Sequence, residues 1–201
     1  MFYFLLAFIA VLAATANAGA VIRDVKGVPV FNGKGSYYLR PLFPYGGLTL
    51  SPRGGNQCPL YIRVNTWQPG VPVIISDPST SAYVYETYDL NIKMDVKATT
   101  CAQPTYWSVS TPDTVIKPAF IVAGPTPSNG SFQIKKTGDA IGRYKIMFCP
   151  TGKDCTDVSI FVDPADGVSR LALSFMPYDR PFVFEFVKAT GTETSSKTMS
   201  I

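Results

Sequence analysis

Residues 73–83 read Val-Ile-Ile-Ser-Asp-Pro-Ser-Thr-Ser-Ala-Tyr, a stretch whose residue types suit the display of a short peptide to a partner. Val73, Ile74 and Ile75 are β-branched and fit a pleated surface, whereas Ser76, Asp77, Pro78 and Ser79 carry turn and breaker chemistry. A strand is therefore expected to end at Ile75, with alternation resuming around Tyr83, Val84 and Tyr85. Pro78 fixes its own φ and biases Asp77 towards extended geometry. Segment 76–82, with Asp77, Pro78, Ser79, Thr80, Ser81 and Ala82, is thus expected to be exposed and extended. The simpler reading is an ordinary loop between strands, since most loops carry no site.

The rest of the chain narrows what such a segment could do. There is no histidine, which excludes Ser-His-Asp and Cys-His hydrolases, His-bound zinc enzymes and His-based acid/base chemistry in their usual forms. No Gly-x-Ser-x-Gly elbow occurs, and residues 27–35 lack the spacing of a phosphate loop. The 14 acidic residues fall mostly in turn contexts such as Asp163-Pro-Ala-Asp166-Gly, which read as solvated turn acids rather than a glycosidase pair. An enzyme is not expected, and neither a cofactor nor a metal is implied. Eighteen basic residues against those 14 acids give a net charge of +4 without a clustered basic surface, so no nucleic-acid partner is expected.

Residues 1–18 carry no charge, and an apolar run ends in the small-residue pattern Ala16-Asn17-Ala18. The run is shorter than the roughly 20 residues of a spanning helix, so it reads as a secretory signal cut after Ala18, not as a membrane anchor. The export destination is the extracellular space (apoplast) or the vacuole. Four cysteines in an oxidising compartment imply two bridges, and four cysteines allow three connectivities. Cys149 and Cys155, separated by Pro-Thr-Gly-Lys-Asp, look like a local hairpin staple, which leaves Cys58 for Cys101. That longer ring encloses the whole of 73–83. Asn129-Gly130-Ser131 is both a glycosylation acceptor pattern and a hairpin-turn pattern.

The elements that must position these residues are nearly all β. Alternation appears at 37–39, 60–64, 83–85, 90–94, 107–109, 132–134, 144–148, 158–162, 171–174 and 182–186, with Pro and Gly between. After residue 20 no stretch sustains a helical period. One all-β domain over 19–190, a sandwich or barrel, is expected, followed by a frayed Thr/Ser-rich tail at 191–201.

Val21, Asp24, Gly27, Pro29, Asn32 and Gly33, followed by Tyr37-Tyr38-Leu39, form a pattern shared with a known family. Further matches are Gly46-Gly47, Cys58-Pro59-Leu60, Ile74-Ile75-Ser76 with Pro78, Trp107-Ser108-Val109, Tyr144 through Phe148-Cys149-Pro150, Asp166-Gly167 and Arg170-Leu171. The chain resembles the plant Kunitz inhibitors related to soybean trypsin inhibitor, which include miraculin-like members. The resemblance implies a β-trefoil: twelve strands in three lobes, a six-stranded barrel capped by hairpins, and disulfides Cys58 to Cys101 and Cys149 to Cys155. It implies a protease as partner, bound as a monomer through a substrate-like reactive loop with Pro78 at P3, Ser79 at P2, Thr80 at P1 and Ser81 at P1′. Asn32 matches the family residue that braces this loop from inside, although an Asn32-Gly33 turn would use the same residue.

Trypsin-directed members carry Arg or Lys where this chain has Thr80. Leaving trypsin's buried acidic residue unpaired costs on the order of 2–5 kcal/mol, a loss of roughly a hundredfold or more in affinity. The expectation is therefore a serine protease of elastase or subtilisin type, with weak action on trypsin. Two alternatives remain: inhibition of cysteine or aspartic proteases through loops 41–47, 124–130 or 176–180, and a non-inhibitory defence, storage or miraculin-like binding protein.

Overall fold

A computed structural model describes residues 19–111, 118–127, 130–138, 142–176 and 178–190. These residues form twelve strands and no helix: β1 (Tyr37–Pro41), β2 (Gly47–Arg53), β3 (Asn56–Asn65), β4 (Val73–Ser76), β5 (Asn91–Met94), β6 (Tyr106–Val109), β7 (Ile121–Gly124), β8 (Gly130–Lys136), β9 (Tyr144–Pro150), β10 (Thr156–Val162), β11 (Ser169–Leu173) and β12 (Val183–Lys188).

Six strands close into a barrel. β1 pairs with β4 and β12, β4 with β5, β12 with β9 and β9 with β8. A bridge from Leu90, beside β5, to Phe132 in β8 completes the ring. Closure removes the exposed edges that an open sheet would present. Each barrel strand turns alternate side chains inward, among them Tyr37 and Leu39, Val73 and Ile75, Ile92 and Met94, Phe132 and Ile134, Tyr144 and Ile146, and Phe184 and Phe186, all buried. This is the period-2 burial that alternating strands require.

The other six strands form three hairpins, β2 with β3, β6 with β7, and β10 with β11. They meet through Tyr61 opposite Val122, Arg63 opposite Arg170, and Phe120 opposite Ala172. Three lobes of four strands, with a barrel closed at one end by a triplet of hairpins, make a β-trefoil. The disulfide pairs are Cys58 with Cys101 and Cys149 with Cys155.

Three features differ from the sequence reading. β2 and β7 are missing from it: the Leu48-Thr49-Leu50-Ser51 alternation of β2 is short, stops at Pro52 and is buried on both faces, and β7 is buried throughout. Residues 83–85 make only single bridges, Tyr83 to Phe31 and Tyr85 to Val21, because the N-terminal segment they face is itself irregular. Asp163 is not a solvated turn acid. It is 1% exposed and takes hydrogen bonds from Arg53 Nε at 2.5 Å and Arg170 Nη1 at 3.2 Å.

That ion cluster ties the cap together. Arg170, wholly buried, also reaches Asp166 through two hydrogen bonds of 2.7 and 2.6 Å and the Pro52 carbonyl at 3.1 Å. The bidentate Arg170 contact is the main reason the Asp166 carboxyl is held down at about 2, below its ordinary 3.8. Burial pushes the Asp163 carboxyl up, but the Arg53 hydrogen bond, the Ala165 N–H and the charges of Arg53 and Arg170 outweigh it and hold it below the ordinary value.

Candidate functional site

Segment 77–82 joins the end of β4 to the bridge at Tyr83. The segment 30–33 is wedged between its two arms. On the incoming arm Gly33 N–H donates to the Ile75 carbonyl at 2.8 Å; on the outgoing arm Asn32 N–H donates to the Ala82 carbonyl at 3.0 Å and Val84 N–H to Val30 at 3.0 Å. Gly33 sits at φ +64°, a left-handed conformation that glycine adopts without a steric penalty and that turns the chain from one arm to the other. The wedge is anchored below by Phe31 N–H, which donates to the Tyr37 hydroxyl at 3.1 Å. Burial pushes that hydroxyl's pKa up, with the Phe31 bond opposing, so it stays neutral.

Between the arms lies the Asn32 side chain. Its Oδ1 accepts from Asp77 N–H at 2.9 Å. Its Nδ2 faces the carbonyls of Asp77 and Ser79 at 3.4 Å each and of Ser81 at 3.0 Å. One nitrogen reaches alternate carbonyls only because the loop curves round it, since in an extended strand the carbonyls of residues 77 and 81 would lie about 13 Å apart; the expectation of an extended segment is corrected to this bowed one. The two roles considered for Asn32, turn former and inner brace, coexist.

The loop also bonds to itself. Asp77 Oδ1 accepts from Ser79 N–H at 2.5 Å, Ser81 N–H points to Ser79 Oγ at 3.3 Å, and Ser81 Oγ donates to the Tyr83 carbonyl at 3.0 Å. Pro78, Ser79, Thr80 and Ala82 are exposed, whereas Ser76 and Ser81 are half-buried. Asp77, expected to be exposed with the rest, is only 7% exposed. Its carboxylate turns inward to accept the Ser79 N–H, and Oδ2 is buried without a hydrogen-bond partner among the described residues. A Ser-Asp-Pro reading signals a turn; it does not reveal that the Asp side chain points in.

The remaining predicted residues are dispersed. Cys58 lies in β3 and Cys101 beyond β5, so their bridge links the first lobe to the second; Cys149 and Cys155 span the β9 to β10 connection. Asn129, the segment 1–18 and the tail 191–201 lie outside the described residues. Of the alternative loops, 41–47 exposes Phe43 and Tyr45, 124–130 exposes residues 125–127, and 176–180 exposes Met176 and Tyr178. Among the described residues no three acidic or cysteine side chains converge as metal ligands.

Thus a braced loop, bowed round the Asn32 amide, projects from a closed scaffold, its free face formed by Pro78, Ser79 and Thr80 and its inner face bonded to Asn32. Held in one shape before binding, such a loop can enter a peptide-binding cleft with little loss of conformational entropy. The sequence pattern of the trypsin and protease inhibitor family, Kunitz legume type, matches residues 22–188. Kunitz trypsin inhibitor 4 of Arabidopsis thaliana is 44% identical, over 98% of this chain and 95% of that protein. Trypsin inhibitor A of Glycine max is 32% identical, over 88% of this chain and 84% of that protein. The soybean trypsin inhibitor structure solved in complex with porcine pancreatic trypsin superposes with a TM-score of 0.73 at 31% identity, covering 85% of this chain and all of that one. A shared scaffold and a match spanning every strand place this chain in the Kunitz family of trypsin and protease inhibitors, whose members inhibit proteases and are not themselves enzymes.

Proposed function

We propose that this chain inhibits a serine-type endopeptidase by inserting loop 77–82 as a slowly cut substrate, with Thr80 at P1 and Ser81 at P1′. The observation that carries this reading is the Asn32 amide facing the carbonyls of residues 77, 79 and 81. It brackets the Thr80 to Ser81 peptide bond on both sides. Attack on the Thr80 carbonyl forms an acyl-enzyme and frees the Ser81 amine. With the Ser81 carbonyl held by Asn32, that amine stays beside the acyl carbon and re-forms the bond.

Thr80 selects the target. A small β-branched side chain suits a shallow specificity pocket of the elastase or subtilisin type and leaves trypsin's buried acid without a cation. Supporting export are the charge-free leader 1–18 and four cysteines all held in disulfides, a pattern of oxidising compartments. The test is titration of the disulfide-bonded protein against trypsin, elastase, subtilisin, papain and pepsin, with any cut mapped by mass. Stoichiometric inhibition of elastase or subtilisin with slow cleavage after Thr80 is expected. Inhibition of papain or pepsin with the loop intact would move the site elsewhere, and no inhibition of any of the five would favour a binding or storage role.

A further inference from the structure

Three side-chain oxygens in residues 77–83 each accept the N–H two positions further on. Asp77 Oδ1 takes the Ser79 N–H at 2.5 Å, Ser79 Oγ the Ser81 N–H at 3.3 Å, and Ser81 Oγ the Tyr83 N–H at 3.2 Å. Asp and Ser offer such local bonds to irregular backbone wherever they occur in turns. Here their spacing sets one of them across the bond between Thr80 and Ser81. The first lies wholly before that bond and the third wholly after it. The second joins the two sides, and within residues 77–83 it is the one hydrogen bond that does.

Each partner of the crossing bond is fixed from its own side. Ser79 follows Pro78, whose φ is set by its ring; its N–H is taken by Asp77, and its carbonyl lies 3.4 Å from Asn32 Nδ2. Asp77 is itself 7% exposed, with Oδ2 buried and without a hydrogen-bond partner. Burying a carboxylate oxygen unpaired costs stability, and what the burial brings is a fixed Ser79. On the other side, the Ser81 carbonyl takes the Asn32 amide at 3.0 Å, and Ser81 Oγ also donates to the Tyr83 carbonyl at 3.0 Å. Tyr83 in turn packs its ring on Phe31 in the wedge, 5.5 Å between centroids.

Attack of the protease serine oxygen on the Thr80 carbonyl breaks the C–N bond to Ser81. The acyl carbon is then esterified to the protease, and the Ser81 nitrogen leaves as an amine carrying its original hydrogen and the one the serine gave up. Building on the reading of loop 77–82 as a slowly cut substrate, we propose that the Ser79 hydroxyl is the positioning residue for this amine. The original N–H stays on Ser79 Oγ, which keeps the nitrogen beside the acyl carbon with its lone pair free. In the reverse step the lone pair re-forms the C–N bond, the ester C–O bond breaks, and the amine's second hydrogen returns to the serine oxygen. Water competes for the same acyl carbon, and an amine already in place outruns it. Asn32 holds residue 81 by its carbonyl; Ser79 holds the reacting nitrogen itself.

The test compares the disulfide-bonded parent with Ser79→Ala and Ser79→Thr, each against elastase and subtilisin. Residue 79 is exposed, so both variants should melt with the parent. Ser79→Ala should associate within about twofold of the parent's rate, yet be hydrolysed after Thr80 about fivefold faster by mass analysis. Chain cut beforehand and returned to fresh protease should regain its intact form about fivefold more slowly in Ser79→Ala than in the parent. Ser79→Thr keeps the hydroxyl oxygen and should restore both rates, which a lost contact between residue 79 and the protease would not allow. The assignment is overturned if Ser79→Ala is cut and re-formed at the parent's rates, if only its association rate changes, or if Ser79→Thr behaves as Ser79→Ala. A parent that neither protease cuts after Thr80 on prolonged incubation overturns the loop reading and Ser79 with it. A parent that is cut and re-forms beside an unaltered Ser79→Ala removes Ser79 alone.

Discussion

In the proposed mechanism Thr80 of the loop and Asn32 of the wedge act on different quantities, and their substitutions should separate them. Thr80 is exposed and, as the proposed P1 residue, would set which protease pocket the loop can fill. Thr80→Arg restores the cation that trypsin's buried acid lacks, so trypsin affinity should rise by about a hundredfold or more, read as the inhibition constant. Asn32 lies behind the loop and, as its proposed brace, would set how long the loop survives. Asn32→Ala removes the 2.9 Å bond from Asp77 and the 3.0 Å bond to Ser81. At about 1 kcal/mol per bond, affinity should fall roughly ten- to thirtyfold against any protease inhibited, while loop cleavage quickens. Equal inhibition and unchanged cleavage in Asn32→Ala would remove the brace from the mechanism. Much of this site was legible in the residue types: Pro78 and the serines announce a turn, and a turn with Thr80 exposed follows. The reach of Asn32 to residues 45–49 positions away was not, because no local pattern encodes a side chain that crosses between segments. Only the family resemblance pointed to it.

At the scale of elements, the barrel strands were legible because each has one buried and one half-exposed face, as in the Val73 to Ser76 alternation. β7 was hidden because neither face meets water, and β2 because its Leu48 to Ser51 alternation is only four residues long before Pro52 breaks it. The cap's ion cluster was hidden for another reason: Arg53 and Asp163 are 110 positions apart, and turn chemistry alone makes Asp163 look solvated. Its presence gives the cap a defined acid sensitivity. The Asp166 carboxyl is held at about 2 against an ordinary 3.8 by Arg170. A depressed carboxylate pKa contributes stability that is complete above the unfolded value and lost as the pH falls through the folded one. The contribution should therefore be intact above about pH 4 and vanish towards pH 2. With Asp166 about a third exposed, Asp166→Asn should lower stability at pH 6 by on the order of 1 kcal/mol and have almost no effect at pH 2, measured by urea unfolding at each pH. An equal loss at both pH values would mean that the side chain contributes through packing or neutral hydrogen bonds instead.

For the whole molecule, the position of the disulfides relative to the proposed cut after Thr80 matters most. The Cys58 to Cys101 ring spans a sequence separation of 43 and contains Thr80 and Ser81; the Cys149 to Cys155 ring spans 6 and contains neither. Hydrolysis after Thr80 therefore leaves one covalent molecule whose two new ends remain tied to adjacent barrel strands. In the chain-entropy picture the larger ring contributes about 4 kcal/mol and the smaller about 2. Cys58→Ser with Cys101→Ser should thus lower the melting temperature about twice as far as Cys149→Ser with Cys155→Ser. The two double variants should also differ in kind. Once the larger ring is open, cleavage yields two chains held only by strand pairing, and the effective concentration of the Ser81 amine at the Thr80 acyl group falls. Inhibition should begin with nearly the parent's affinity and then decay over repeated turnover, whereas the variant of the small ring should hold its inhibition as the parent does. Mass analysis without reductant distinguishes the cases: a cut parent stays one species, and a cut Cys58→Ser, Cys101→Ser variant separates into two. If both double variants lose inhibition at the same rate, the barrel alone holds the cut ends together and the long disulfide acts only on stability.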